Sequence, residues 1–233
     1  CHRRNPFIIK MKFLTKIIFF LYREYKVNLS GFQDILTNIV FFFVSIFIFI
    51  FSIGPNNETI SLIGVGIVWT LLLLSSTLSL RKFYQDDFED GNLLVMHLNG
   101  FSFGFIAILK TFSHFLFVQV PFLLSIPIAS ILLNIANDKL FYLFVSFAIG
   151  SLILSCLGSI SSSMNLMNQR NFLLGSVIVM ILSVPIIIFS VSIINMQENF
   201  NSLINVLFGI LLIVLAINPW ASGLCLKLSL ENT

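Results

Sequence analysis

The chain has 233 residues, of which 58% are hydrophobic and 10% charged, with 27 phenylalanines and a mean hydropathy of +1.01. Ten acidic and 13 basic residues cannot supply the polar exterior that a water-soluble domain of this size needs. Composition therefore excludes a soluble globular protein and makes lipid the solvent.

The first patterned segment is 12–26, KFLTKIIFFLYREYK. On a helical wheel Lys12, Lys16, Arg23 and Lys26 cluster on one side, while Phe13, Leu14, Ile17, Ile18, Phe20 and Leu21 fill the other. This predicts an N-terminal amphipathic helix lying on the inner leaflet, its basic face toward anionic headgroups. The competing reading is a helix packed on a soluble partner. Residues 1–11 open on Cys, with Met11 as a natural start, and are assigned to a leader or tail; 12–230 form a single membrane domain.

Apolar runs near the roughly 20 residues that cross a bilayer follow at 35–53, 60–80, 111–133, 140–164, 172–194 and 203–220. The expected fold class is thus an all-α integral membrane protein with six transmembrane helices. Orientation follows from Lys and Arg, which are retained on the cytoplasmic side. With the N-terminus inside, Lys139 is the one basic residue left outside, so both termini are placed in the cytoplasm. The net charge of +3 is then a topology signal, with nothing in it that points to nucleic acid. Gly64, Gly66, Gly150, Gly158 and the serine-rich 155–163 are small residues suited to close helix approach in lipid. Pro121, Pro127 and Pro185 predict kinks. Cys1, Cys156 and Cys225 share no metal or disulfide spacing.

Between the second and third spans lies RKFYQDDFEDGNLLVMHLNG, residues 81–100, which holds four of the ten acids within five positions. From Arg81 to Asp90 the pattern predicts a short helix along the membrane surface, with Tyr84 and Phe88 on one side and Asp86 and Asp90 on another, stopped at Gly91. Asn92 would cap a second helix through LLVMHL. Exposed aromatics beside acids form a docking peg for a cytoplasmic partner with a basic, apolar groove; the plainer reading is a solvated charge run.

No G-x-x-x-x-G-K-[ST] phosphate loop, H-E-x-x-H or C-x-x-C-H occurs, so nucleotide hydrolysis and the usual zinc and covalent-haem chemistries are not expected of this chain. The spans as drawn contain no Lys, Arg, Asp or Glu, which disfavours an ion-coupled secondary transporter. His114, with Lys110 at i−4 on the same face, either lines a polar path or ligates haem iron, or is an interfacial histidine hydrogen-bonded to a neighbouring helix.

Several stretches together resemble the cytochrome c maturation protein B family, the haem exporter permease subunit. They are SIGP (52–55), IVWTLLLLSSTLSLRKFYQDDFEDGNL (67–93), LKTFSHF (109–115), LSVPIIIF (182–189) and NPWASGLCL (218–226), in the family's order and spacing. Two positions depart from its pattern, Leu94 where Glu is common and Phe115 where Trp is frequent. The resemblance implies an ABC-2-like permease in the cytoplasmic (inner) membrane, or the mitochondrial inner membrane if organelle-encoded. It also implies a separate cytoplasmic ATP-binding subunit and a haem-handling membrane subunit as partners, and is compatible with a homodimer. On this reading haem is the handled species, ATP is bound by the partner, and no cofactor is resident. Arg81, Phe83, Tyr84, Asp86, Asp87, Phe88, Glu89, Asp90 and Gly91 then form the coupling loop. The alternatives are a non-transporting scaffold of the assembly complex and the disfavoured secondary transporter.

Overall fold

The structure, a computed structural model, describes residues 6–54, 57–79, 83–167, 173–195 and 197–231. The architecture is all-helical: α1 (Pro6–Ser30), α2 (Phe32–Ile53), α3 (Asn57–Ser79), α4 (Gln85–Glu89), α5 (Asn92–Leu98), α6 (Phe103–His114), α7 (Val120–Leu132), α8 (Leu140–Met167), α9 (Leu173–Asn195) and α10 (Phe200–Glu231). Among the described residues, six stretches are long and apolar enough to cross a membrane: Phe32–Ile53, Glu58–Ser79, Phe103–Leu132, Asn137–Met167, Gly175–Asn195 and Phe200–Glu231. The chain is a multi-pass membrane protein.

Two span boundaries differ from the sequence expectation by more than three residues. The third span starts at Phe103 instead of 111, and the sixth continues through Pro219 to Glu231 instead of ending at 220. Hydropathy registers the hydrocarbon-crossing part of a helix and is blind to its continuation into the headgroup zone. At 1.5 Å per residue a 30-residue helix is about 45 Å long, against roughly 30 Å of hydrocarbon. The first turns of α6 therefore extend beyond the apolar slab.

The third span is broken inside. A π-helical turn, Phe115–Gln119, separates α6 from α7, whose second residue is Pro121. Proline has no N–H to donate and its ring crowds the carbonyl four residues back, so a widened turn just ahead of it relieves the clash. Gly54 ends α2 with φ +82, a left-handed geometry open to glycine at little cost.

Two packed regions result. The larger lies among the spans, around Trp69, Phe42, Phe122 and Phe147. There α8 packs against α3, α9 and α10, and the Trp69 ring lies so close to Gly150 that a Cβ at that position would overlap it. Gly64 packs against Leu133, but Gly66, expected to act likewise, faces open space. The smaller region sits at one end, where Phe20 of α1, Tyr84 ahead of α4, and Leu93 and Met96 of α5 join Ile106 of α6, Leu166 of α8 and Leu226 of α10. This second core fixes the short helices onto the span ends. Large apolar side chains such as Phe47, Phe51, Ile213 and Trp220 face outward from α2 and α10, as lipid contact requires.

Candidate functional site

The segment after the second span folds as two short helices joined at Gly91. Its φ of +70 lets the chain turn while the Gly91 N–H donates to the Phe88 carbonyl at 3.1 Å. Gly91, not Asn92, occupies the cap position of α5, because Asn92 already has helical geometry.

A five-residue helix has a distinct inner and outer face, and the acids divide between them. Asp86, Glu89 and Asp90 are exposed, and Glu89 accepts from Gln85 Nε2 at 2.6 Å. Asp87 is only 5% exposed. The aromatics do not protrude as a peg: Phe83 and Tyr84 are buried and Phe88 half-buried. Burying large rings against the second core is favoured strongly over leaving them in water, so they anchor the segment to its own chain. The Tyr84 hydroxyl makes a 2.7 Å bond with Ser159 of α8, and burial pushes its pKa up. Phe83 lies over the His114 ring at 4.7 Å. Arg81 lies outside the described residues.

Asp87 is buried because it is paired. It meets Arg23 of α1 and Lys110 of α6. Lys110 also lies 3.2 Å from Glu24 of α1, and Arg23 lies 2.8 Å from the same carboxylate. Two cations and two anions thus alternate around a closed ring that joins three helices. A buried charge is retained only when paired, and here each has two partners. Burial pushes the Asp87 carboxyl up, but Lys110 and Arg23 outweigh it and hold the group below the ordinary carboxylate value. Burial likewise lowers the Arg23 pKa, and its bonds to Asp87 and Glu24 more than restore it.

This ring corrects two sequence expectations. Arg23 turns inward from the predicted basic face of α1, whereas Lys16 and Lys26 remain exposed, Lys26 lying 5.2 Å from the Tyr22 ring centre. Lys110 lies within the third span as the structure extends it, so that span carries a basic group after all. Glu24 was not singled out by the sequence at all. Its signal is nonetheless present: Phe13, Ile17, Phe20, Glu24 and Asn28 succeed one another at three- and four-residue steps, which places a carboxylate on the apolar stripe of an amphipathic helix.

His114 is buried, its Nε2 2.9 Å from Ser79 Oγ of α3 and its Nδ1 3.1 Å from Ser155 Oγ of α8. Both ring nitrogens are engaged, so the histidine bridges three spans. Beside it opens a cleft of about 240 Å³, lined by Glu24, Asn28, Asp34, Ser79, Phe83, Asp86, Lys110 and His114. Ser113 Oγ reaches Glu24 at 3.4 Å and accepts from Asn28 Nδ2 at 3.4 Å, adding α1–α6 contacts along its wall. Among the described residues no cluster of three metal-ligating side chains occurs.

Six membrane-length helices among the described residues, with a short acidic helix wired by charge to one of them, define a multi-pass membrane protein. The CcmB protein family matches residues 15–229. Relatives include Heme exporter protein B of Haemophilus influenzae, 29% identical over 213 residues, covering 90% of this chain and 96% of that protein. The Paracoccus denitrificans protein of the same name is 30% identical over 197 residues, 83% of this chain and 90% of the other. That of Escherichia coli K12 is 25% identical over 211 residues, 89% and 96%. The chain belongs to the CcmB family, a family of non-catalytic membrane permease subunits.

Proposed function

We propose that this chain is the membrane subunit of an ABC-type haem exporter in c-type cytochrome assembly, coupling ATP hydrolysis on a separate subunit to events in the bilayer. The observation that carries the reading is the two-faced construction of α4. Its outer face presents Asp86, Glu89 and Asp90 to a partner, and its inner face, through Asp87, joins the third span. A segment that receives force must be both accessible and firmly attached, and α4 meets both conditions. The partner that fits is a cytoplasmic ATP-binding subunit with a basic surface, since exposed acids steer and orient a complementary charge.

In this reading α1 lies along the inner leaflet, both termini are cytoplasmic, the membrane is the bacterial inner membrane or its mitochondrial counterpart, and the bundle is an ABC-2-like permease. Residues 12–230 act as one membrane domain. The chain helps release haem from a haem-handling membrane partner instead of forming a self-sufficient pore. The engagement of both His114 nitrogens supports this, as does His97, whose Nδ1 is 3.0 Å from the Phe101 carbonyl and whose ring stacks on Phe103 at 4.1 Å. His114, on the cleft wall, has no nitrogen left over for iron, and His97 is exposed and does not line that cleft.

The test is a variant with Asp86→Ala, Glu89→Ala and Asp90→Ala that leaves Asp87 in place. It is expected to reach the membrane at normal levels, to lose at least ten-fold in copurification with the ATP-binding subunit, and to abolish c-type cytochrome formation. Unchanged recovery of that subunit and normal cytochrome would overturn the reading, and a scaffold role would take its place.

A further inference from the structure

We infer that Arg23, Glu24, Asp87 and Lys110 are positioning residues that pass displacement of α4 to the third span, with α1 as an obligatory member of the linkage. The inference rests on the coupling reading of α4 and adds to it the route by which force leaves that helix.

The geometry supplies the argument. Asp86, Glu89 and Asp90 are exposed on the outer side of the segment, Asp86 at the edge of the cleft. Its inner face is held by aromatic packing, by the Tyr84 hydroxyl on Ser159 of α8, and by one carboxylate, that of Asp87, which makes the ionic link to α6. Close-packed rings hold a helix by shape, and paired charges in a site largely cut off from water add an attraction that opposes their separation. Asp87 meets Lys110 on α6 directly, and the second path runs Asp87 to Arg23, along one peptide unit to Glu24, and back to Lys110. Two routes thus converge on the same ammonium group. Moving α4 without moving Lys110 would separate Asp87 from both cations in a site where only Arg23 retains appreciable contact with water, at 25% side-chain exposure. The ammonium therefore follows the carboxylate.

What lies downstream suits the role. One turn beyond Lys110 is His114, bonded to α3 and α8, and directly after it comes the π-helical turn of 115–119. A π turn is a point where a helix can change its local winding. The cleft between α1, α2, α3 and α6 leaves room for α6 to shift at this level. Displacement applied at Lys110 thus enters the span on the α4 side of its π-helical turn.

The charge pattern dictates the experiment. Replacing Glu24 and Lys110 together, Glu24→Gln with Lys110→Met, removes one charge of each sign and leaves the Arg23–Asp87 pair intact. It cuts the link to α6 without stranding a charge. In the complex with its ATP-binding subunit, this double variant is expected to copurify normally and to hydrolyse ATP within two-fold of wild type, while c-type cytochrome formed in cells falls at least ten-fold. Lys110→Arg, which keeps the charge, is expected to retain most of the cytochrome yield. All yields are scored per complex in the membrane, so altered accumulation does not enter the comparison. Normal cytochrome yield from the double variant would overturn the linkage, and so would a Lys110→Arg variant as inactive as the double. Loss of copurification in the double variant would also contradict it, since the linkage acts after docking. Failure of the coupling reading itself shows elsewhere, as undiminished copurification of the Asp86, Glu89 and Asp90 variant.

Discussion

Asp87 and its neighbours differ from the three other acids of the segment by one property, burial, and burial changes what a substitution does. Lys110→Met leaves Glu24 and Asp87 facing each other across a site with Arg23 as their shared cation, and breaking a buried pair from one side costs about 3–5 kcal/mol. The double replacement Glu24→Gln with Lys110→Met restores balance. Thermal unfolding in detergent is therefore expected to show the single variant less stable than the double, a non-additivity of the kind contacting charges produce. The pH dependence follows from the depressed Asp87 value. A carboxylate held below its unfolded pKa contributes stability that is complete above about pH 4 and is lost as pH falls through the folded value. Protease cleavage within 83–100 is expected to accelerate only under strongly acidic conditions in the wild type, and to be rapid already at neutral pH in Asp87→Asn. Tyr84→Phe removes a single neutral hydrogen bond to Ser159, worth about 1 kcal/mol, and is expected to lower stability only slightly.

Helices were far more legible than their partnerships. Six apolar runs predict six spans, since the bilayer imposes a length that hydropathy reads directly. Spacing and Gly91 likewise predict a short helix and its stop, but α4 begins at Gln85, with Tyr84 as its non-helical cap, instead of running from Arg81. Which acid would turn inward was not legible, because that depends on Arg23, 64 positions earlier in the chain, and on Lys110 beyond another helix. A wheel for α1 alone places Arg23 with the lysines, and only the docked α4 shows why it leaves them. The aromatics misled for a related reason: spacing puts Tyr84 and Phe88 on one side of a helix without saying whether that side meets water or a second core. Close helix contact was readable at Gly150 but not at Gly104 and Gly223. There a Cβ on Gly104 would lie 2.8 Å from the Pro219 carbonyl oxygen, and one on Gly223 would lie 2.9 Å from the Gly104 nitrogen. Gly150→Val must displace Trp69 from the middle of the bundle, and Gly223→Val must part α10 from α6. Both are expected to reduce the amount of folded protein in the membrane several-fold, measured by size-exclusion profiles in detergent, whereas Gly66→Val, facing open space, is expected to leave it unchanged.

Taken as a whole, the molecule is a bundle of six membrane-length helices with a small second core at one end, and charge is concentrated where the two meet. The bundle supplies the lipid-facing mass, and the second core holds α1, α4 and α5 against the span ends. The ring of Arg23, Glu24, Asp87 and Lys110 makes those two parts mechanically continuous. On the proposed function, the exposed face of α4 lies in the nucleotide-containing compartment and is covered there by the ATP-binding subunit. This placement is tested most directly by placing one cysteine at Asp90, in a chain whose native cysteines are replaced, and treating sealed membranes with a membrane-impermeant maleimide. Labelling is expected in inverted vesicles, with protection when the ATP-binding subunit is present, and none in right-side-out vesicles. Labelling from the outer face of right-side-out vesicles would contradict the placement.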